Sequence, residues 1–459
     1  MYALTYALAW TLTSLLLLAS LGTLVGGAFS LADHSSPYHP RGSHPERAAL
    51  LAAVCLGTTL LYLLTSNPRS YARWRSGRLW GGGWLYSTPT VSTEQTIERA
   101  TRLQRSLGDG GSVEVVGGAW SNVLRREAVR GVPLEMTLMR GKAEAGRSRW
   151  LAGTPLREVH RDLKKRGLVA VNLPSYSGVT IGAWVATMGH GMPGRAFDHD
   201  LVCVSALVLD LKTGIVSFDG PSKLEDKFGR SRRRAAQFLV LEVELSASPT
   251  LVSDAPCVRS SRWLAYETDA QWLLEKSALA AVVFVGYGGA LALRWAPVKP
   301  GQRRPSRGAR RALDDASYAL FSVTGRFLSK ADGLEHTQPL SDAVYLFSVY
   351  LWPAYTLSFL LLPLRNTELY TTDLDLSPAK LLEVSTALTS HFKVYNGRCE
   401  VRFLGVVTFF DIFSWSSDGL RALVRVLADL GVQRVAMHPG KFQPDVTGWP
   451  VTLVDPASV

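Results

Sequence analysis

The amino-acid sequence predicts an α+β protein that is preceded by a helical membrane hairpin. The chain has 459 residues, more than the roughly 250–300 at which single cores stop growing, so at least two globular units are expected. Apolar residues make up 47% and charged residues 19% of the chain, which excludes a mostly disordered protein. In the C-terminal part, strand, strand, helix and strand patterns follow in that order, which indicates an antiparallel sheet covered on one side.

Two apolar runs lie at the N-terminus. Residues 3–29 contain no charged side chain, and residues 48–65 form a second run. Each is near the roughly 20 residues that a helix needs to span a bilayer, so residues 1–70 are predicted to form a membrane anchor of two helices. Arginines follow the second run, which predicts that the body faces the cytosol. A cleaved signal peptide is the alternative for the first run, but a basic segment before it is absent.

The formal net charge of +12 raises the question of nucleic-acid binding. Much of the excess lies in residues 230–234 and 303–311, and neither arginine cluster has interleaved aromatic residues for base stacking. Solvated loops or attraction to an anionic membrane surface are therefore favoured, and no nucleic-acid partner is expected. The four cysteines are scattered and form no CxxC motif. No metal site is predicted, and a reducing compartment is inferred.

Capping patterns and apolar periodicity place the elements of the soluble body. Ser92 and Gln95 form a capping-box pattern at the start of the first helix. The predicted helices cover residues 92–107, 155–166, 377–392 and 418–430, and the predicted strands cover residues 113–116, 205–211, 238–245, 398–403, 406–412 and 434–437. The first strand runs directly into a glycine turn.

The segment from about residue 246 to 396 has a different composition. It contains apolar runs at residues 278–292 and 344–364, and the second run is broken by Pro353 and Pro363. A third membrane span is one interpretation of this segment. The two prolines favour a buried or interfacial helical region instead, so we expect a domain with apolar helices.

Two glycine-rich stretches are candidates for binding a phosphate-bearing cofactor. Residues 115–122 read VVGGAWSN, and residues 177–191 read SGVTIGAWVATMGHG. Small residues allow the backbone to bend with positive φ and to approach a ligand closely. An ordinary buried glycine turn is the alternative for either stretch taken alone.

Two charged motifs lie near the C-terminus. In the strand over residues 398–403, the period of two places Arg398, Glu400 and Arg402 on one face. The turn from His438 to Lys441 brings an imidazole and an ammonium group close together. A surface ion pair and a solvated loop are the alternatives for the two motifs considered separately.

Together with the strand FLVLEVEL at residues 238–245, these motifs occur in a familiar order. The chain resembles the flavin-linked oxidases of the vanillyl-alcohol oxidase superfamily, whose members have a PCMH-type FAD-binding domain. It resembles in particular the sugar-1,4-lactone and alditol oxidases, such as gulonolactone and arabinonolactone oxidases. The resemblance covers roughly residues 75–250 and 395–445.

The resemblance implies a two-part FAD-binding domain at residues 71–248, an α+β cap or substrate domain at 249–395, and a C-terminal substrate-site segment at 396–459. In many relatives a histidine at the position of Trp120 bonds the flavin covalently, so non-covalent FAD is expected here. Ala119 and Leu239 stand where glycines are usual. The residues implied to contact FAD are Gly117, Gly118, Ala119, Trp120, Ser121, Asn122, Ser177, Gly178, Gly182, His190, Gly191 and Val240.

The resemblance also implies oxidation of a CH–OH group of a sugar-derived substrate, with hydride transfer to flavin N5 and electrons passed to oxygen or another acceptor. Arg402 and Lys441 would stabilise negative charge at the substrate oxygen. Glu400 or His438 would accept the proton. Two other functions remain open: a flavin sterol or lipid-linked sugar oxidoreductase, and a flavin-less membrane-bound binding protein.

Overall fold

The computed structural model describes much of the chain from residue 92 onward. The described residues are 92–108, 113–117, 132–144, 147–174, 178–191, 204–229, 236–245, 251–275, 278–301, 335–344, 365–375, 377–404, 406–414, 416–438, 441–442 and 444–454. The predicted membrane hairpin and nearly all of the apolar run at 344–364 lie outside these ranges. Among the residues that are described, no helix is both long enough and apolar enough to cross a bilayer.

The first part of the described chain mixes short helices and strands. In chain order its elements are α1 (Thr93–Leu107), β1 (Val113–Val116), β2 (Val132–Glu135), β3 (Arg149–Leu151), α2 (Leu156–Lys165), β4 (Leu168–Ala170), α3 (Ile181–Ala186), β5 (Val204–Asp210), β6 (Val216–Asp219), α4 (Pro221–Leu224), β7 (Phe238–Leu245) and β8 (Leu251–Ser253). A π-helical turn over Glu225–Gly229 follows α4. The predicted helices and strands of this part are confirmed, including the capping box between Ser92 and Gln95.

The second part is dominated by longer strands. In chain order its elements are β9 (Pro256–Trp263), α5 (Glu267–Leu273), β10 (Ala280–Gly286), β11 (Gly289–Pro297), β12 (Glu335–Pro339), α6 (Leu340–Val344), β13 (Arg365–Thr371), α7 (Pro378–Val394), β14 (Gly397–Leu404), β15 (Val407–Ser414), α8 (Ser417–Asp429), β16 (Arg434–Met437) and β17 (Thr452–Leu453). The helices and strands predicted for the C-terminal part are also confirmed.

Four strands of the first part form an antiparallel sheet in the order β3, β7, β5, β6. The register between β5 and β7 shifts between Leu207 and Val208. Near this irregularity the carbonyl oxygen of Leu241 accepts a hydrogen bond from the N–H of Ala152 at 2.9 Å. The helix α3 packs on β7, so the second glycine-rich stretch is supported by this sheet.

Nine strands of the second part form one sheet in the order β12, β9, β11, β10, β14, β15, β13, β16, β17. Neighbouring strands are antiparallel except for β16 and β17, which are parallel. Because β14 pairs with β10, the sheet continues across the boundary expected between residues 395 and 396. The cap and C-terminal segments therefore share one sheet within a unit that spans Thr88–Val459.

The two faces of the nine-stranded sheet have different partners. On one face, alternate residues such as Val283, Val401 and Ile412 form a core with the helices α7 and α8. On the other face, Val282 and Phe284 belong to the core of the first part. We call this second face the inner face, because it lies toward the first part of the chain. The period of two thus separates a helix-covered face from the face that meets the first part of the chain.

Within the segment expected to contain apolar helices, the apolar run at residues 278–292 consists of strands and not of a helix. This run forms the hairpin of β10 and β11, with Gly289 in the left-handed region at φ 129°. The valines at 282, 283 and 285 favour a strand because β-branched side chains fit a pleated surface. Glycines at the turn supply the reversal, so a long apolar run is read correctly only once the turn is recognised.

Gly182 in α3 is predicted to be intolerant of a side chain. A Cβ at this position would lie 2.6 Å from the Cβ and 2.9 Å from the carbonyl oxygen of Ala152. We expect Gly182→Ala to lower the free energy of unfolding by about 1–3 kcal/mol through overpacking. Adding Ala152→Gly should recover part of the loss, as measured by urea denaturation. Equal stability of the wild type and the single variant would contradict this packing.

Candidate functional site

Three buried carboxylates lie side by side on the inner face of the large sheet. Glu400 lies opposite Asp411 in the register of β14 and β15, and Asp411 lies opposite Glu368 in the register of β15 and β13. Residues opposite each other on neighbouring strands point to the same face, so these side chains form one row, which we call the carboxylate row. The three residues are 2%, 3% and 1% exposed. Ionised groups at this depth require charged or hydrogen-bonding partners.

Glu400 is held between two arginines of its own strand. Arg398 and Arg402 lie two residues to either side and therefore share its face. Arg402 Nη2 donates to Glu400 Oε2 at 2.6 Å, and Arg398 Nη1 donates to Glu400 Oε1. Burial raises the pKa of Glu400, but the two guanidinium groups outweigh burial and hold the pKa below its ordinary value. Glu400 is therefore an ionised group with both oxygens engaged.

Asp411 stands at the centre of the carboxylate row. Its Oδ2 accepts a hydrogen bond from Arg402 Nη2 at 3.2 Å. Its Oδ1 accepts one from Asn366 Nδ2 at 2.6 Å and lies 3.7 Å from Lys441 Nζ. Burial raises the pKa of Asp411, and the other two carboxylates of the row raise it further, against the effects of Lys441 and Arg402. Asp411 thus connects the arginine side of the row to the lysine side.

Glu368 joins the sheet to the second glycine-rich stretch. Its Oε1 contacts His190 Nε2, and its Oε2 lies 3.8 Å from Lys441 Nζ. His190 Nδ1 lies 3.0 Å from the carbonyl oxygen of Gly191, so each ring nitrogen faces an oxygen. Burial raises the pKa of Glu368, but the nearby imidazoles and the ammonium of Lys441 lower it well below its ordinary value.

His438 provides a second link to the same stretch. Its backbone N–H donates to the carbonyl oxygen of Glu368 at 3.0 Å. Its Nε2 lies 2.9 Å from the carbonyl oxygen of Met188, so this nitrogen carries a proton and donates it. Burial lowers the pKa of His438 to about 4; Glu368 opposes this shift, while His190 and Lys441 add to it. At neutral pH His438 is therefore a neutral imidazole.

The carbonyl of Met188 is oriented by the end of α3. The N–H of Met188 donates to Val185 O at 3.0 Å, and the N–H of Gly189 donates to Trp184 O at 2.8 Å, which together form a Schellman motif. Met188 occupies its left-handed position with φ 51°, where glycine is usual. This conformation costs a side-chain-bearing residue roughly 1–2 kcal/mol. The hydrogen bond to His438 and the burial of the Met188 side chain help to offset that cost.

Gly117 brings the two glycine-rich stretches together. It directly follows β1, and a Cβ on it would lie 2.6 Å from Thr180 Oγ1 and 3.1 Å from the Cβ of Ala183. The end of β1 therefore lies against the first turn of α3. A cofactor that contacts both stretches fits this arrangement, because the same small region offers backbone from each.

Some of the other cofactor candidates are described by the structure, and the rest lie outside the described residues. Gly182 and Gly191 have the space beside them filled by protein, by Ala152 and by the backbone of residues 171–173 respectively, so both serve close packing. Gly178 is buried ahead of α3, and Val240 is buried in β7. The candidates that lie outside the described residues are Gly118, Ala119, Trp120, Ser121, Asn122 and Ser177.

Comparison with known families identifies the first part of the chain. Residues 91–218 match the FAD binding domain family. This family belongs to the PCMH-type FAD-binding superfamily, and it indicates a flavin-dependent oxidoreductase. The matched segment of this FAD binding domain contains both glycine-rich stretches, whereas the carboxylate row, His438 and Lys441 lie beyond it. No curated protein matches the chain.

Three residues of the site carry donor atoms suited to a metal ion. The relevant atoms of His190, Glu368 and His438 all lie within 4.8 Å of one another, and two imidazoles with a carboxylate are a ligand set known for zinc. Glu368 is already hydrogen-bonded to His190, and the ammonium of Lys441 beside it opposes a further cation. The hydrogen-bonded network with the FAD binding domain accounts for these groups without a metal.

The structure brings together all four residues that were expected to act on the substrate, and it adds others that the sequence patterns did not single out. Glu400, Arg402, His438 and Lys441 are linked through Glu368 and Asp411. A signal for Asp411 was present in the sequence, because it is the one charged residue in the apolar strand β15. Glu368 and Asn366 alternate on β13 in the same way, but that strand had not been predicted.

Glu368→Gln removes the carboxylate that contacts His190 and Lys441. Breaking a buried ion pair by removing one partner costs about 3–5 kcal/mol, so we expect a loss of that order in the free energy of unfolding. The double variant His190→Gln/Glu368→Gln should be more stable than the sum of the single effects predicts, because neither charge is then left alone. Urea denaturation measures both, with the exposed Glu383→Gln as an unaffected control. Strict additivity would show that His190 and Glu368 do not interact.

The neutral state of His438 predicts sensitivity to acid. Its folded pKa of about 4 lies below the ordinary value of 6.5, so the unfolded chain binds more protons between these pH values and stability falls as the pH drops through them. Protonation of Glu368 also lowers the stability, but only at lower pH, because its pKa is about 4.3 in the unfolded chain and is depressed in the folded protein. His438→Gln keeps a donor for the carbonyl of Met188 and should lose less stability between pH 6.5 and 4.5.

Denaturation with urea at several pH values checks this difference. His160 and His391, whose pKa values are also lowered to about 4 by burial, contribute the same pH dependence to both proteins. Only the difference between the wild type and His438→Gln is therefore informative. Identical pH dependence in the two proteins would mean that His438 is not held neutral.

Proposed function

We propose that this protein is a membrane-anchored, FAD-dependent oxidoreductase that oxidises a CH–OH group of a sugar lactone or polyol. The observation that carries the proposal is a double link between the FAD binding domain and the large sheet. His190 contacts Glu368, and His438 donates to the carbonyl of Met188. A ligand held at the glycine-rich stretches is thereby brought close to groups that can act on a hydroxyl.

Bound FAD supplies a hydride acceptor at N5, and the protein must hold the substrate and manage its proton. Arg402 is suited to stabilise negative charge on the reacting oxygen. Burial lowers the pKa of Arg402, but the carboxylates of Glu400 and Asp411 raise it by more than burial lowers it. The guanidinium group therefore stays charged. Lys441 adds a second positive charge next to the row and is about one-third exposed, which leaves room for contact with substrate. Both would stabilise the negative charge that develops on the substrate oxygen as its proton is removed, before that charge is spent in forming the C=O bond.

Of the two candidate bases, His438 fits the role better than Glu400. Both oxygens of Glu400 are engaged by arginines, which oppose its protonation. His438 is neutral at pH 7, and because its Nε2 donates to Met188, Nδ1 is the nitrogen that can accept a proton. The ionised Glu368 beside it would stabilise the imidazolium that forms. We therefore assign proton uptake to His438 and charge organisation to Glu400.

The polarity of the site favours a sugar-derived substrate over a sterol. A rigid apolar molecule placed on the carboxylate row would desolvate charged groups without replacing their hydrogen bonds. A flavin-less binding protein is disfavoured by the match to an FAD binding domain. Leu239, one of the two bulky residues that raised this alternative, is packed in the core of the first part. The other, Trp120, lies outside the described residues.

The membrane anchor and the acceptor complete the proposal. Support for the anchor comes from the two apolar runs at residues 3–29 and 48–65, and the arginines after them favour a body that faces the cytosol. Lipid is therefore a proposed partner of the N-terminal segment. Electrons leave to oxygen or to another acceptor, and FAD is bound without a covalent bond to Trp120.

Lys441→Met should retain FAD but lose bleaching of the flavin by substrate. Within the described residues the ion pairs of the lysine are with the carboxylate row, so the substitution changes the side proposed to meet the substrate. Purified protein is mixed anaerobically with L-gulono-1,4-lactone or xylitol, and the flavin band near 450 nm is followed; we expect at least about tenfold slower bleaching if one charge interaction worth roughly 1.4 kcal/mol is lost. Lys393→Met, on the exposed end of α7, is the control.

Two outcomes contradict the proposal at different levels. Wild-type protein without a flavin band after incubation with FAD would exclude the redox function. A flavin band that none of the lactones or polyols bleaches would exclude the substrate class. Acid precipitation of the loaded protein tests the non-covalent attachment, because the flavin should then remain in the supernatant.

A further inference from the structure

Asn366 lies at the edge of the carboxylate row and has a fixed orientation. It is two residues before Glu368 on β13 and therefore shares the inner face, where it is 3% exposed. Its Nδ2 donates to Asp411 Oδ1 at 2.6 Å. A flipped amide would place its oxygen against a carboxylate oxygen, which is repulsive. The amide oxygen of Asn366 is therefore directed away from Asp411.

That amide oxygen has no hydrogen-bond partner in the described structure, although it is buried. A second polar atom of the cluster, Arg402 Nε, is also buried and without a partner. Buried polar atoms of proteins are nearly always paired, and an orphaned one costs about 1–3 kcal/mol. An acceptor and a donor left open in one cluster suit a ligand whose groups both donate and accept. Hydroxyl groups have this property.

The charges of the cluster narrow the class of ligand. Among the described residues, the carboxylates Glu368, Asp411 and Glu400 face the permanent cations Arg398, Arg402 and Lys441. Each of these three cations already contacts a carboxylate, so an anionic substrate would have to compete with a carboxylate of the row for any of them. Carboxylates in a row also repel another carboxylate. A neutral polyhydroxylated ligand fits better than a sugar acid.

We propose that Asn366 determines specificity by accepting a hydrogen bond from a substrate hydroxyl other than the one that is oxidised, in a neutral lactone or polyol. Asp411 is the positioning residue that holds the amide. This inference rests on the proposed function and assigns it a further binding residue. The recognised hydroxyl is the one that donates to the amide oxygen of Asn366. A substrate analogue without that hydroxyl would leave the amide oxygen buried and unpaired.

The experiment uses the FAD-loaded protein with D-ribono-1,4-lactone and its three monodeoxy analogues. Apparent Kd values come from the concentration dependence of anaerobic flavin bleaching, and an analogue that is not oxidised is titrated as a competitor. In the wild type, we expect one of the analogues to bind about tenfold more weakly than the parent lactone. Its missing hydroxyl should not be the one that is oxidised. The factor of ten corresponds to the loss of a hydrogen bond worth about 1.4 kcal/mol. D-Ribonate, the open acid, should bind more weakly than the lactone.

Asn366→Ala should bind the parent lactone and that same analogue equally well. The analogues act as internal controls, because their binding to the variant reports on its fold and flavin content. If Asn366→Ala yields too little folded protein, Asn366→Ser provides the second test, with a shorter side chain that should also weaken the discrimination. An equal loss of affinity for the parent and every analogue would overturn the proposal, as would an unchanged preference.

The wild type alone also tests the idea without any variant. If every monodeoxy lactone binds within about twofold of the parent, no hydroxyl is recognised by a buried acceptor and the assignment of Asn366 fails. That result differs from failure of the proposed function, in which neither lactones nor polyols bleach the flavin at all. Tighter binding of D-ribonate than of the lactone would overturn the inference of a neutral ligand.

Discussion

Charge compensation within the carboxylate row is the constraint on which the candidate site depends. Three carboxylates with almost no solvent contact would each carry a desolvation cost of several kcal/mol if left alone. Their compensating groups come from separate parts of the chain: two arginines from β14, Lys441 from beyond β16, and His190 from the FAD binding domain. The electrostatic requirement therefore ties sequence-distant segments together, and the same contacts that stabilise the row place the glycine-rich stretch against it.

The register of the strands determines where the charged side chains lie. In the nine-stranded sheet, alternate side chains either enter the helix-covered core or lie on the inner face. A shift of β14 by one residue would send Cys399 and Val401 to the inner face and drive Glu400 into an apolar core. Packing against α7 and α8 thus protects the alignment of the charged groups. The helices cover the opposite face of the sheet, and by fixing the register there they fix the positions of the charged groups.

Much of the fold was predictable from sequence, and the site only in part. Local signals were sufficient where one pattern dominated: the capping box at Ser92, the alternation in FLVLEVEL, and the amphipathic helix α8. The pattern assigned no element to the run at residues 278–292, because small and β-branched residues fill a buried strand as well as a helix. Glu400, Arg402, His438 and Lys441 were singled out through motifs, and the structure places them in one cluster. Glu368 and Asn366 were not, since pairing between β13 and β15 spans many residues and leaves no local trace.

The position of β14 has a consequence for how the protein can move. This strand is bonded to β10 on one side and to β15 on the other; one of its faces packs into the helix-covered core, and the other carries Glu400 and its two arginines. Detaching it would open that core and break the ion pairs of the carboxylate row at once, so its backbone amides should exchange with deuterated solvent only through unfolding of the entire unit. Glu400 and Arg402 are consequently mounted on a slowly exchanging part of the described structure. Local opening of the backbone should therefore leave the two side chains in place, so that a substrate meets them already oriented.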